Sequence, residues 1–194
     1  MKVNYPNPSI TSNVTHNPKF QSHGMYFENA LNKSNDYYRN TSKAIIYKKP
    51  TPIQIVRVDY PKRSKARIIE AYYQTPSTTD YNGIYREKYI DYEAKETHNL
   101  SFNFKHISNH QVEHLRKIDE QKGIAFVIIF FSKVNRVFLI DIKPFIELFK
   151  QGLKSIKISD LEQIGMEAKL GFVPPIDYLQ AVDQLYFSHQ NFDK

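Results

Sequence analysis

At 194 residues with 41% apolar content, the chain can bury one substantial core and is too short for two full domains. The absence of cysteine excludes a disulfide framework and any thiolate-bound zinc, and the net charge of +7 favours a polyanionic partner over an acidic one. The longest apolar run, 123–131, falls far short of the roughly 20 residues that span a bilayer, so a soluble, cytoplasmic protein without membrane association is expected.

Residues 1–20, rich in Asn, Pro, Ser and Thr, read as a flexible N-terminal arm ahead of a single domain over 21–194. Over 23–38 the spacing of Phe27, Ala30, Leu31, Ser34 and Tyr38 predicts a helix with one buried stripe, and Glu28 at its edge pairs most simply with a nearby lysine. A strand over 44–49 is broken by Pro50-Thr51-Pro52. Pro61 interrupts the basic segment beyond it, so 50–73 is expected to stand outside the sheet as a protruding stalk. Charge concentrates there: Lys48, Lys49, Arg57, Lys62, Arg63, Lys65 and Arg67 face the single acid Asp59, a local net of +6. Such a patch attracts nucleic acid, the alternative being a solvated basic loop.

The turn-prone stretch Thr79-Asp80-Tyr81-Asn82-Gly83 comes next, and Asn82-Gly83 is expected to close a hairpin. The strand over 89–97 places Ile90, Tyr92 and Ala94 on one face and Tyr89, Asp91, Glu93, Lys95 and Thr97 on the other. The hairpin then sets Asp80 beside Glu93. Two carboxylates hold a divalent cation, and a lysine on the same face orients water or neutralises charge developing on a phosphate, which is the requirement of metal-dependent phosphodiester cleavage. The alternative is an exposed strand face with an ordinary ion pair. Acid-x-lysine recurs at Asp141-Ile142-Lys143 and Glu167-Ala168-Lys169, so the spacing alone does not decide. Asp141 reads as a helix start before Pro144, and Glu167 as part of a loop between Gly165 and Gly171. Asp91 shares the polar face of Glu93, but two residues is about 6–7 Å along a strand, which carries it past the cation.

Ser108 and Gln111 have capping-box spacing and open a helix to about 121, with Val112, Leu115 and Ile118 on one side. Strands over 123–131 and 137–142, a helix over 143–151, a short helix after Ser159 and a helix over 175–187 complete the chain. Helices alternating with strands around a central mixed sheet give an α/β fold. The seven histidines show no convincing ligand spacing and are assigned no metal.

Several blocks, in order, resemble one family: Gly24-Met25-Tyr26-Phe27-Glu28, Lys48-Lys49-Pro50-Thr51-Pro52, Val58-Asp59-Tyr60-Pro61-Lys62-Arg63, Ser77-Thr78-Thr79-Asp80-Tyr81-Asn82-Gly83, Glu93-Ala94-Lys95-Glu96-Thr97, Val112-Glu113-His114 and Gly171-Phe172 with Ile176-Asp177-Tyr178. Together they resemble the RecU Holliday junction resolvases over about 20–187. The resemblance implies a restriction-endonuclease-like core, a homodimer, Mg2+ dependence and a basic stalk directed at the centre of four-way junction DNA. It places Thr78, Asp80, Glu93 and Gln111 at the metal site and Lys95 at the transition-state-stabilising position. From the residues alone Thr78 equally closes a turn and Gln111 equally caps its helix.

The reading that unites these signals is a magnesium-dependent endonuclease resolving four-way junctions in recombination and repair. Asp80, Glu93 and Lys95 are its catalytic residues. Lys48, Lys49, Arg57, Lys62, Arg63, Lys65 and Arg67 are its DNA contacts. Its rivals are a sequence-specific restriction-type nuclease and a non-catalytic basic nucleic-acid-binding protein. Whether a recombinase or a branch-migration helicase binds its surface is open at this level.

Overall fold

The computed structural model describes residues 23–74 and 78–188; the expected arm over 1–20 lies outside them. Helix α1 (His23–Asn40) leads into β1 (Ile45–Lys48). Strands β2 (Ile53–Asp59) and β3 (Arg67–Tyr73) then pair only with each other and form the expected protrusion. After β4 (Tyr81–Tyr85), β5 (Lys88–Thr97) and the short β6 (Ser101–Asn103) come α2 (Asn109–Glu120), β7 (Ile124–Phe131) and β8 (Arg136–Asp141). The chain continues through α3 (Ile142–Lys150), β9 (Ser155–Lys157), α4 (Ile158–Ile164), β10 (Met166–Leu170), β11 (Ile176–Asp177) and α5 (Tyr178–Tyr186).

Seven strands make the central sheet in the order β1-β4-β5-β7-β8-β10-β11. The β5–β7 pair is parallel and its neighbours are antiparallel, so the sheet is mixed and the α/β expectation holds. Helix α2 makes the crossover between the two parallel strands, a connection too long for a hairpin and suited to a helix. Every residue of β7 is buried because both faces of the sheet are covered. Phe126, Ile128 and Phe130 pack with Leu31, Tyr92, Tyr178 and Val182 on the α1/α5 side, and Val127, Ile129 and Phe131 pack with Leu115, Phe138 and Phe145 on the α2/α3 side.

Three local expectations are corrected. Asn82-Gly83 does not form the hairpin turn: both residues lie inside β4, and the turn falls at Arg86-Glu87, whose φ values of 48° and 65° are those of a tight primed hairpin. Gly83 is needed for another reason. It pairs with Ile46 of β1, and a Cβ there would lie 2.0 Å from the Ile45 carbonyl oxygen. Glu167, expected in a loop, lies in β10 beside β8, its flanking glycines marking the strand's ends; its carboxylate takes both nitrogens of an Arg136 fork at 2.6 and 2.8 Å. The C-terminal helix starts at Tyr178 because Ile176 and Asp177 pair with β10. The strands β6 and β9, three residues each, are too short to leave a periodic signal. Asp141 is the start of α3, its carboxylate accepting from the Lys143 amide at 2.8 Å.

Gly83→Ala should destabilise the protein by about 2 kcal/mol or more, because backbone rather than a yielding side chain blocks the added methyl. Urea unfolding followed by circular dichroism measures it; a stability within about 0.5 kcal/mol of the parent would mean that β1 is free to move.

Candidate active site

The alternation of β5 sends Ile90 and Tyr92 into the α1/α5 core and turns Asp91 and Glu93 toward α2, where both are fully buried. Asp80 lies immediately before β4. Tyr81 pairs with Tyr92, so the antiparallel register continues to Asp80 opposite Glu93, and Asp80 Oδ2 accepts from the Ala94 amide at 3.1 Å. The two acids meet as expected, through a turn four residues further on than Asn82 suggested.

Glu93 is anchored on one side only. Its Oε1 receives Lys95 Nζ at 2.6 Å and Gln111 Nε2 at 2.7 Å, whereas Oε2 is buried with no hydrogen-bond partner. Burial pushes the Glu93 carboxyl up to about 7, the charge of Asp80 adding to the rise and Lys95 opposing it. An orphaned carboxylate oxygen next to a second acid is stabilised by a proton or a cation, and the oxygen-only donor set matches magnesium. Among the described residues no three His, Cys, Asp or Glu side chains converge in ligand geometry.

Gln111 and Thr78, the other expected ligands, have protein partners of their own. Gln111 caps α2: its Oε1 accepts from the Ser108 amide at 3.1 Å and from the Ser108 hydroxyl at 3.0 Å, while its amide nitrogen orients Glu93. The capping and site readings of Gln111 therefore coexist in one side chain. Thr78 is exposed, its hydroxyl accepting from Lys49 Nζ at 3.1 Å. Glu28 pairs with Lys48 at 2.5 Å.

Of the seven basic residues between positions 48 and 67, Lys48 and Lys49 at the root of the β2–β3 arm are thus engaged by protein carboxylates. Arg57, Lys62, Arg63, Lys65 and Arg67 are exposed on the arm, Arg67 lying 3.3 Å from Asp59. The arm also exposes Ile53, Ile55, Val56, Val58, Ile68 and Ile69.

Sequence reasoning gave Asp91 no role. It is a four-way hub: Lys49 Nζ donates to it at 2.8 Å, the Tyr89 hydroxyl at 2.9 Å, His114 Nε2 lies at 3.2 Å and Thr79 donates from its hydroxyl. Its lysine and histidine partners are 42 and 23 residues away along the chain, beyond any local signal. Glu96 carries no sequence signal either. It lies on the opposite face of β5 with both carboxylate oxygens buried and unpartnered, in a small concavity bordered by Glu28 and Asp80.

The model of the family described as RecU, recombination protein U, matches residues 22–184. A Holliday junction resolvase RecU from Geobacillus sp. (strain WCH70) is 49% identical over 177 residues, covering 89% of this chain and 88% of that relative. Its counterpart from Bacillus licheniformis is 44% identical over 197 residues, covering 96% and 98%. Among solved structures, Archaeoglobus fulgidus Hjc, a Holliday junction resolvase, is similar at a TM-score of 0.42 with 14% identity, covering 74% of this chain and 95% of that one.

In metal-free protein Glu93 is protonated in the folded state up to about pH 7 and ionises near 4.5 when unfolded. The folded state then binds the extra proton, so this group makes unfolding free energy fall as pH rises from 4.5 to 7, by up to about 3 kcal/mol. Glu93→Gln removes that slope. Urea unfolding in chelator across pH 4.5–8 should give parent and variant curves that converge in slope above pH 7; parallel curves throughout would mean that Glu93 ionises in the ordinary acid range.

Proposed function

This chain belongs to the RecU family of Holliday junction resolvases, and we propose that it resolves four-way DNA junctions as a magnesium-dependent endonuclease acting through Asp80, Glu93 and Lys95. The observation that carries the assignment of residues is the buried, half-satisfied Glu93 carboxylate opposite Asp80, with Lys95 2.6 Å from its other oxygen. What sets Glu93 apart from the equally unpartnered Glu96 is a second acid directly opposite it and a lysine on the same strand face, a grouping that a cation stabilises.

Asp80 and Glu93 would hold the magnesium, and Thr78 of the same turn would offer a further oxygen. Bound there, magnesium supplies Lewis acidity toward a phosphate oxygen and makes a bound water more acidic. Gln111 keeps the Glu93 carboxylate aimed by donating to Oε1. Lys95, a quarter exposed and 2.6 Å from that carboxylate, would set its ammonium against charge developing on the phosphate. The low polarity around Glu93 strengthens each of these interactions.

The β2–β3 arm supplies the affinity for DNA. Its exposed cations neutralise phosphates and release counterions without reading sequence, which suits recognition by shape. Its exposed apolar residues on a two-stranded hairpin support a homodimer, since such a hairpin is marginal alone and a second copy related by a two-fold axis covers it. A two-fold dimer matches the approximate symmetry of a four-way junction and brings one site to each of two like strands, giving paired nicks. No helix of the described residues is long and apolar enough to cross a membrane; with DNA as substrate and no cysteine in the chain, we place the protein in the cytoplasm.

Asp80→Asn, Glu93→Gln and Lys95→Ala should each lower cleavage of a labelled four-way junction by about two orders of magnitude or more while junction binding in chelator stays near the parent's. Asp141→Asn and Glu167→Gln serve as controls and should cleave within a few-fold of the parent. Full activity in either acid variant of the pair overturns the site. Cleavage of linear duplex of the same sequence at an equal rate favours the restriction-type reading, and no cleavage by the parent in magnesium favours a non-catalytic binder.

Replacing Arg57, Lys62, Arg63 and Lys65 together by alanine should weaken junction binding and flatten its log–log salt dependence by about 0.9 for each phosphate left without its cation. Binding titrations at three salt concentrations measure this. Unchanged affinity and slope would reduce the arm's charge to a solvated surface.

A further inference from the structure

Lys49 is the last residue before the prolines that open the arm, yet its ammonium turns inward. Nζ donates to Asp91 Oδ2 at 2.8 Å, to Thr79 Oγ1 at 2.5 Å and to Thr78 Oγ1 at 3.1 Å, and its side chain is 14% exposed. Its backbone amide donates to the carbonyl of Asp80 at 2.8 Å. One residue therefore grips the 78–80 turn by main chain and side chain together.

The turn itself has no helix or strand to fix it. What lies beneath it is Asp91, fully buried on β5, two residues ahead of Glu93 on the same face. Asp91 and Glu93 share one strand, so whatever is fastened to Asp91 is fastened in register with Glu93, about 6–7 Å along. Asp91 also accepts from the hydroxyls of Thr79 and Tyr89 and faces His114 of α2 at 3.2 Å, so its own position is set from three directions. Immobilising a lysine in this way gives up rotamer freedom, which a free surface lysine meeting phosphates would keep until DNA arrives.

We propose that Asp91 and Lys49 form a strut that positions Asp80 against Glu93, tying the metal-binding turn to the root of the DNA-binding arm. Asp91 is a positioning residue: it acts through Lys49 and Thr79, not on substrate or cation. The proposal rests on the reading of Asp80 and Glu93 as the cation pair. Without the strut, Asp80 leaves its place opposite Glu93 for part of the time, and cation affinity falls because one ligand is no longer held in advance. Arm charge is untouched, so DNA affinity in the absence of metal persists. Turnover at saturating cation also persists, because the catalytic groups remain.

The test uses the full chain with Mn2+ as probe, read by electron paramagnetic resonance without DNA, alongside junction binding in chelator and cleavage as a function of Mn2+ concentration. Asp91→Asn and Lys49→Met should each weaken Mn2+ binding by about tenfold or more, and the double variant should be no weaker than the worse single one. High Mn2+ should restore cleavage to within a few-fold of the parent. Thr79→Val removes one hydroxyl and no charge, is the variant least exposed to misfolding, and should weaken Mn2+ binding by about threefold to tenfold. Unchanged Mn2+ affinity in folded Lys49→Met and Thr79→Val overturns the strut. Weaker junction binding in chelator by Lys49→Met at unchanged Mn2+ affinity overturns it too, and makes Lys49 a phosphate contact. Glu93→Gln separates the two levels: if it binds Mn2+ as the parent does, the cation pair itself is misassigned.

Discussion

Burying two carboxylates on one strand is the constraint around which this molecule is arranged. Asp91 and Glu93 are both fully buried on the α2 face of β5, where an ion without partners is strongly disfavoured. They are treated in opposite ways. Asp91 is surrounded by donors from the end of β1, the 78–80 turn, β5 itself and α2, which makes it a structural tie between four parts of the chain. Glu93 receives two donors on one oxygen and none on the other, and Asp80 stands beside it. On the proposed reading, the acid with both oxygens engaged, Asp91, builds the site, and the acid with one oxygen left over, Glu93, takes the cation.

The hydrophobic framework serves that arrangement. A site whose function depends on where two carboxyl groups sit is best carried by strands in fixed register, and β5 is clamped between antiparallel β4 and parallel β7, itself buried along its whole length. Tyr92 stacks between Tyr81 and Phe126 at ring separations of 4.8 Å on each side, locking the register at the step next to Asp80 and Glu93. Glycine at position 83 lets β1 close onto β4, and β1 delivers Lys49 to the turn.

Local periodicity made most of this legible. The 3-4 stripe of α1, the apolar run of β7 and the alternation of β5 each report a face buried against a partner, and the acid and lysine on one face of β5 follow from a period of two. What escaped depended on partners far along the chain. Asn82-Gly83 carries the composition of a hairpin turn, but here glycine answers the backbone of β1, which is visible only once β1 and β4 are side by side. Glu167 sits between two glycines that have the look of a loop and instead bound an edge-side strand. Lys49 has the look of one of seven surface cations, and its inward turn is dictated by Asp91, 42 residues later. Charge counts locate a basic segment without saying which of its members face solvent.

The proposed function divides recognition and chemistry along the arm. Its root lysines are taken up by Glu28 and Asp91, so its available charge lies further out, on Arg57 and on Lys62 to Arg67. Seven residues of β2 separate root from tip, about 23 Å at strand rise, or some six to seven base pairs of duplex at about 3.4 Å each. On the proposed reading, the cations at the arm's tip and the acid pair at its root are separated along a hairpin with its own sheet. A substrate that satisfies both ends at once must offer phosphates to the tip and a strand to the acid pair across that span. On that reading, preference for branched DNA comes from the spacing of two sites that individually ignore sequence, and Lys49, bonded to the 78–80 turn at the arm's root, joins the two.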